Sequence, residues 1–138
     1  MALRKIRARG EDQVTDEPPP PIGRRTVLVV DDDEALLRLL KAILRSADYD
    51  VSTALNGSDA LDVTEHQHPD VIVLDLRMPV LDGPGFFRAL RARGDTTPVL
   101  VTSSFGAFDA QRELGAEGAI AKPFEPDALL EAVGSLLH

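Results

Sequence analysis

The stretch Val71-Ile72-Val73-Leu74-Asp75 decides the fold, because it is an uninterrupted apolar run that ends on a carboxylate. Four β-branched or aliphatic residues in a row are typical of a strand covered on both faces, as in a parallel sheet. Parallel sheets bind ligands beyond the carboxyl ends of their strands. Asp75 is therefore a candidate site residue, although a single acid in this position is more often a helix cap or a loop residue.

A second apolar run, Thr26-Val27-Leu28-Val29-Val30, is also followed by acid, here four acidic residues in succession. The leucines beyond them recur at helical spacing, so a helix is predicted to begin at this point. Asp33 suits the N-cap, and Glu34 suits the positive end of the helix dipole. These local roles leave Asp31 and Asp32 unexplained, and both become site candidates.

The remaining chain alternates between strand and helix patterns. Strands are predicted at 50–54, 98–104 and 119–121, and helices from Ser58 to about Glu65, from Pro84, from Asp109 to Leu114 and from about Pro126 to Leu137. Five such alternations predict an α/β domain whose five-stranded parallel sheet, in the order 2-1-3-4-5, has helices on both faces as a flavodoxin-like three-layer sandwich. In that order the first and third strands flank the switch point, so Asp31, Asp32 and Asp75 are predicted to converge.

Composition limits the classes of function. The 138 residues contain no cysteine, and they fit one domain at 26–138 after a basic, proline-rich arm at 1–25 that is predicted to be disordered. Residues 1–25 carry six basic and four acidic side chains, whereas the rest carries nine and nineteen. An acidic body argues against nucleic-acid binding. No apolar run approaches the ~20 residues of a membrane span, so a cytoplasmic protein without membrane insertion is predicted.

Three clustered carboxylates predict a cation site. Two carboxylates ~5 Å apart repel by about 3 kcal/mol at an effective dielectric near 20. Oxygen ligands without His or Cys suit Mg²⁺, with Mn²⁺ as the expected substitute. A screened Asp75 can then attack phosphorus and form an acyl phosphate. Ser103 and Lys122, at the ends of the fourth and fifth strands, are placed to donate a hydroxyl proton and positive charge to the phosphoryl oxygens.

Four motifs, in this order, make residues 26–137 resemble the receiver domain of two-component response regulators. They are Val-Val-Asp-Asp-Asp-Glu at 29–34, Leu-Asp-Leu-Arg-Met-Pro at 74–79 with Asp82-Gly83 behind it, Val-Thr-Ser-Ser at 101–104, and Ala-Lys-Pro-Phe at 121–124.

The resemblance implies a role for each site residue. Asp75 is then the phosphoacceptor, and Asp31, Asp32, Asp75 and the backbone carbonyl of Arg77 hold Mg²⁺. Ser103 is the switch hydroxyl, with Thr102 as the alternative if the fourth strand is one residue shorter. Lys122 binds the phosphoryl group, and its bond to Pro123 resembles the cis peptide of the family.

Two departures from the family pattern affect signalling. Similar receivers usually have Tyr or Phe three residues before the lysine, where this chain has Ala119, and the segment from Ser103 to Lys122 is about one helical turn shorter than usual. The fourth helix should therefore be short, and the usual aromatic switch is missing. Arg77 and Phe105 lie two residues beyond Asp75 and Ser103, at positions that in similar receivers influence how readily water reaches the acyl phosphate.

The leading hypothesis is a stand-alone receiver that takes a phosphoryl group from a sensor histidine kinase or a histidine phosphotransfer protein. It would signal by binding a downstream protein, unknown from the sequence, and would catalyse only its own phosphorylation and dephosphorylation. One alternative is an adaptor that keeps the fold without the switch, which Ala119 favours and the complete set of Asp31, Asp32, Asp75 and Lys122 disfavours. The other is an aspartyl-phosphate phosphohydrolase, disfavoured because Arg77 stands where haloacid-dehalogenase-like enzymes carry a second Asp.

Overall fold

A computed structural model describes residues 24–137, and its centre is a five-stranded parallel sheet in the order β2-β1-β3-β4-β5. The strands are β1 (Thr26–Val30), β2 (Asp50–Ala54), β3 (Val71–Asp75), β4 (Val99–Ser103) and β5 (Gly118–Ala121). The helices are α1 (Glu34–Ser46), α2 (Gly57–His66), α3 (Gly83–Ala92), α4 (Ala107–Leu114) and α5 (Pro126–Ser135). The predicted fold class and strand order are confirmed.

The predicted arm at 1–25 lies outside the described residues except for Arg24 and Arg25. Its disorder, and the domain boundary drawn at residue 26, stay predictions. Within residues 24–137, no helix has the length and apolar character needed to cross a membrane.

Two apolar cores, one on each face of the sheet, explain the unbroken apolar strands. Val27 and Val29 of β1 point to the face covered by α1 and α5, whereas Leu28 and Val30 point to the face that α3 covers. All five residues of β3 are buried. A central strand with helices on both sides has no solvent face, so no alternation of polar residues is required.

The helix starts follow local capping chemistry, and the predicted cap of α2 is wrong. Asp33 caps α1 as predicted, since its side chain accepts a hydrogen bond from the backbone N–H of Leu36 at 3.1 Å. The cap of α2 is Asn56 and not Ser58, because the Asn56 side chain accepts from the N–H of Asp59 at 2.8 Å. Gly57 is the first residue of that helix, where a Cβ would lie 2.6 Å from the carbonyl oxygen of Leu81. The Asn-Gly pair therefore starts the helix rather than forming a separate turn.

The register of the sheet gathers the site residues at one edge. Val30, the last residue of β1, pairs with Leu74, so Asp31 and Asp75 follow at the same level. Asp75 pairs with Thr102, and Ser103 pairs with Ala121, next to Lys122. The strand ends thus place all the predicted site segments on the carboxyl side of the sheet.

Candidate functional site

Three carboxylates meet at the carboxyl ends of β1 and β3. One oxygen from each of Asp31, Asp32 and Asp75 lies within 4.8 Å of the others. Asp31 and Asp75 are buried, with 2% and 6% of their surfaces exposed, and Asp32 is exposed. The convergence predicted from the sequence is therefore present, with one acid of the cluster open to solvent.

Lys122 joins the two buried acids. Its Nζ donates to Asp31 Oδ2 at 2.7 Å and to Asp75 Oδ1 at 3.1 Å. The other oxygen of Asp31 accepts from the backbone N–H of Asp33 at 3.0 Å. Sequence reasoning assigned Lys122 only to the phosphoryl group. Its bridge between Asp31 and Asp75 was missed, because the sequence does not show that β5 ends within reach of β1.

The balance of charge in this cluster is reflected in two pKa values. Burial, followed by the negative charge of Asp31, raises the pKa of Asp75 despite the opposing effect of Lys122. Burial acts to lower the pKa of Lys122, but hydrogen bonds and attraction from Asp31 and Asp75 outweigh it, so the pKa is raised. Lys122 is therefore held in its charged form, and one cation offsets three carboxylates only in part.

The donor set fits a hard divalent cation. All three side chains offer carboxylate oxygens, they lie close enough to share one ion, and the exposed side of Asp32 leaves room for water ligands. Arg77 lies in the loop between β3 and α3 with an exposed side chain. The predicted contribution of its backbone carbonyl stays a prediction.

The two candidate switch hydroxyls differ in their surroundings. β4 begins at Val99 and ends at Ser103, one residue inside each predicted limit. Thr102 is buried, and its hydroxyl donates to the carbonyl oxygen of Leu74 on the neighbouring strand at 3.5 Å. Ser103 is also buried, but its hydroxyl faces the loop beyond β4, where it bonds to the backbone of Phe105. Ser103 therefore belongs to the loop beside the site, and Thr102 to the sheet.

The structure also locates the departures noted in the sequence. Ala119 lies in β5 opposite Val101 and packs, partly buried, against the core that includes Leu28 and Phe86. α4 has eight residues and is the shortest of the five helices in the part of the chain that the structure describes. The Phe105 side chain is 77% exposed. The short fourth helix is thus present. At position 119, β5 has a methyl group where similar proteins usually have an aromatic ring.

Comparisons with known proteins agree with one another. The sequence profile of the family described as response regulator receiver domain matches residues 27–134. The transcriptional regulatory protein PrrA of Mycobacterium leprae is 44% identical over 106 residues, which cover 75% of this chain and 46% of PrrA. The sporulation initiation phosphotransferase F of Bacillus subtilis is 31% identical over 102 residues, which cover 72% of this chain and 82% of that protein.

A solved structure agrees with both sequence comparisons. The chemotaxis protein CheY4 of Vibrio cholerae superimposes with a TM-score of 0.77 and 32% identity, covering 83% of this chain and all of that one. The chain spans less than half the length of PrrA, so the comparisons concern the shared domain and not the output of the longer protein.

Proposed function

Because the chain belongs to the family of response regulator receiver domains, we propose that it accepts a phosphoryl group on Asp75 from a histidine kinase or phosphotransfer protein and signals through its surface. Receiver domains are phosphoacceptor signalling domains rather than classical enzymes, and they bind Mg²⁺ at an acidic pocket. The observation that carries the proposal is the joint contact of Lys122 with Asp31 and Asp75 inside a cluster of three carboxylates.

The proposed transfer is a substitution at phosphorus. An oxygen of Asp75 forms the new P–O bond while the P–N bond of phosphohistidine breaks, and the imidazole leaves as the neutral ring after taking up a proton. Asp31, Asp32, Asp75 and the Arg77 carbonyl would hold Mg²⁺, and the ion would supply positive charge against these carboxylates and the incoming phosphoryl oxygens. Lys122 is already charged and in contact with Asp75. After the transfer, its ammonium group pairs with the negatively charged oxygens of the new phosphoryl group.

We assign the switch hydroxyl to Ser103. It is the last residue of β4, and its hydroxyl faces the loop at the carboxyl edge of the sheet, whereas that of Thr102 is directed to the backbone of β3. After transfer, the Ser103 hydroxyl donates to a phosphoryl oxygen. Thr102 remains the alternative, and Ser103→Ala and Thr102→Val variants separate the two, because only the switch residue alters the response to phosphorylation.

The proposed setting includes a protein donor and a protein target. The acidic body of the domain disfavours nucleic acid as a direct ligand of this domain. The matched region covers 82% of phosphotransferase F, whereas PrrA, covered over 46%, extends well beyond the shared domain. A cytoplasmic location stays a prediction from the sequence.

One experiment tests the central proposal. The full chain is incubated with acetyl phosphate and Mg²⁺ and analysed by intact mass, with Asp75→Asn as the test variant and Asp109→Asn, an exposed acid on α4, as the matched control. We expect a single phosphoryl adduct in the wild type and in Asp109→Asn, and none in Asp75→Asn.

The same experiment addresses the adaptor and the enzyme. An unmodified wild type under conditions that phosphorylate a known receiver would favour the adaptor that lacks a switch. Turnover of unrelated phosphoesters by the wild type, lost in Asp75→Asn, would favour the phosphohydrolase. Either result contradicts the proposal.

A further inference from the structure

Phe105, in the loop after β4, has an exposed ring and a backbone held by a buried hydroxyl. The Ser103 hydroxyl donates to the Phe105 carbonyl oxygen at 2.8 Å, and it accepts from the Phe105 N–H at 3.2 Å. Ser103 is buried, but the Phe105 side chain lies largely in solvent. Two hydrogen bonds to one serine therefore fix the backbone position from which the exposed ring projects.

These hydrogen bonds compete with phosphoryl binding. A serine hydroxyl has one proton to donate, and in the structure the Phe105 carbonyl receives it. Ser103 cannot donate to a phosphoryl oxygen on Asp75 unless that bond breaks. Capture of the phosphoryl group by Ser103 therefore releases the Phe105 carbonyl.

The backbone beyond Phe105 has few local restraints. Gly106 adopts a φ of +75°, and a Cβ at this position would meet nothing within 4 Å. Gly106 is also the N-cap of α4, and it provides no side-chain hydrogen bond to that helix. A loop with open space beside its glycine, which enters a helix without a side-chain cap, can rearrange at small cost.

A hollow of about 170 Å³ lies beside this loop, lined by residues that include Ser103, Phe105, Ala107 and Ala121. Ala121 pairs with Ser103 across the sheet, and it is the residue of β5 that lines the hollow. Its side chain is a methyl group, so the strand leaves the hollow unfilled. The lining combines apolar side chains with Ser103 and Asp109, and its apolar part suits an aromatic ring.

We propose that phosphorylation of Asp75 moves the Phe105 ring from solvent into the hollow above Ala121. The inference rests on the proposed function. When the Ser103 hydroxyl turns to the phosphoryl group, the freed loop rearranges, and the ring loses contact with water as it covers Ala121. The exposure of the Phe105 ring therefore differs between the unphosphorylated and the phosphorylated protein.

A single introduced tryptophan tests this movement. The chain contains no tryptophan, so Phe105→Trp introduces a single one. Full-length Phe105→Trp is treated with acetyl phosphate and Mg²⁺, and acrylamide quenching and intact mass are measured on the same samples. We expect a blue-shifted emission and about a twofold fall in the quenching constant, in proportion to the adduct, because the ring leaves water. The control, Leu55→Trp in the β2–α2 loop, should show neither change.

Two second-site variants in the Phe105→Trp background isolate the cause. Ser103→Ala removes both hydrogen bonds to the Phe105 backbone and the donor to the phosphoryl group. At the same fraction of phosphorylated protein, the quenching constant should therefore not fall in Ser103→Ala, whereas it should fall again in Ser103→Thr. Without any phosphodonor, Ser103→Ala should also lower the anisotropy of the tryptophan, since the loop is no longer held. Ala121→Leu fills the hollow and should block the fall in quenching while the adduct still forms.

The outcomes separate this inference from the proposed function. Absence of the adduct from Phe105→Trp, Leu55→Trp and the wild type alike would overturn the proposed function and the inference that rests on it. A full adduct with unchanged quenching in Phe105→Trp would overturn the movement alone. A normal response in Ser103→Ala at equal adduct would show that the hydroxyl does not control the loop.

Discussion

At the amino ends of the strands Arg91 meets two backbone carbonyls and one carboxylate, whereas at the carboxyl ends Lys122 faces a cluster of three carboxylates. The Arg91 guanidinium donates to the carbonyls of Asp95 and Thr97 at 3.0 Å and to both oxygens of Glu117 at 2.9 and 3.1 Å. Its Cζ lies 4.4 Å from the centre of the Phe87 ring. Glu117 accepts in addition from the backbone N–H of Val99 at 2.8 Å. This end has matched donors and acceptors.

The carboxyl end keeps a charge excess that the amino end avoids. Burial and the charge of Asp31 raise the pKa of Asp75, which means that the ionised carboxylate is less favourable in the folded protein than in the unfolded chain. A domain could remove this cost by replacing one acid with a neutral residue. The difference between the ends indicates that the contacts of Arg91 stabilise the fold, whereas the carboxylate cluster, on which the proposed cation and phosphoryl chemistry depends, lowers its stability.

The largest effect is expected from removing Asp32, a proposed metal ligand at the carboxyl end. Asp32→Ala should lower Mg²⁺ affinity by about a hundredfold or more, because one of few carboxylate ligands is lost. The free energy of unfolding should stay the same or rise, since repulsion in the cluster falls. Isothermal titration and urea unfolding measure the two quantities. Asp109→Ala is the control, and unchanged Mg²⁺ affinity in Asp32→Ala would remove Asp32 from the site.

A matched pair of neutralisations tests the comparison directly. Asp75→Asn should raise the free energy of unfolding by about 1 kcal/mol, because a neutral amide avoids the cost of a buried, repelled charge. Glu117→Gln should lower it by about 1 kcal/mol, because the partly exposed ion pair with Arg91 is lost. Urea unfolding of both variants at pH 7 gives the sign of each change in the free energy of unfolding. If both changes had the same sign, the carboxyl end would not be destabilised by its charge relative to the amino end.

Sequence reasoning recovered the fold because its signals are local. The apolar runs of β1 and β3 and the acids that follow them are visible in the chain, and alternation with helices restricts the topology to few choices. The same logic placed Asp31, Asp32 and Asp75 together, since parallel strands end at one edge. The start of α2 was misplaced because Asn-Gly serves both turns and helix caps, and only the contact with Leu81 decides between them.

Contacts between distant segments could not be predicted in this way. The bridge from Lys122 to Asp31 spans 91 positions, and the bond from Arg91 to Glu117 spans 26. Neither contact can be predicted from a periodicity or a motif in the sequence. The bonds between Ser103 and Phe105 depend on a hydroxyl rotation that residue types leave open. The sequence therefore predicts which groups reach the site but not how they are paired there.

A smaller effect concerns the lifetime of the proposed acyl phosphate. Arg77 and Phe105 are both exposed, in the loops after β3 and β4. The long cation of Arg77, and the Phe105 ring over the hollow beside Ser103 in the phosphorylated protein, can hinder the attacking water, and exclusion of water protects reactive intermediates. Arg77→Ala and Phe105→Ala should each shorten the half-life of phospho-Asp75 by about threefold, and more when combined.

Decay of the adduct is followed by intact mass after the phosphodonor is removed. Arg88→Ala, an exposed cation on α3, is the control for a general effect of charge. If neither variant loses phosphate faster than the wild type, Phe105 and Arg77 serve packing or partner contact instead.

The smallest effect should come from Asp95, in the loop between α3 and β4 at the amino end. Its Oδ1 accepts from the Thr97 hydroxyl at 2.6 Å and from the Thr97 N–H at 2.9 Å. Burial acts to raise the pKa of Asp95, but these bonds, together with the charges of Arg91 and His68, outweigh it, so the pKa is lowered. A carboxyl group with a lowered folded pKa contributes stability above its unfolded pKa of about 3.9 and loses it as the pH falls through the folded value.

Asp95→Asn should therefore cost about 0.5 kcal/mol of unfolding free energy at pH 7, because a neutral acceptor makes weaker hydrogen bonds than a carboxylate. The difference from the wild type should begin to shrink as the pH falls below about 4, and it should approach zero only below the lowered folded pKa, where the wild-type carboxyl group is protonated in both states. Urea unfolding from pH 7 to pH 3 measures it, with Asp109→Asn as the exposed control. A deficit that persists at low pH would mean that the amide introduced by the substitution disturbs the loop by its shape rather than by the loss of charge.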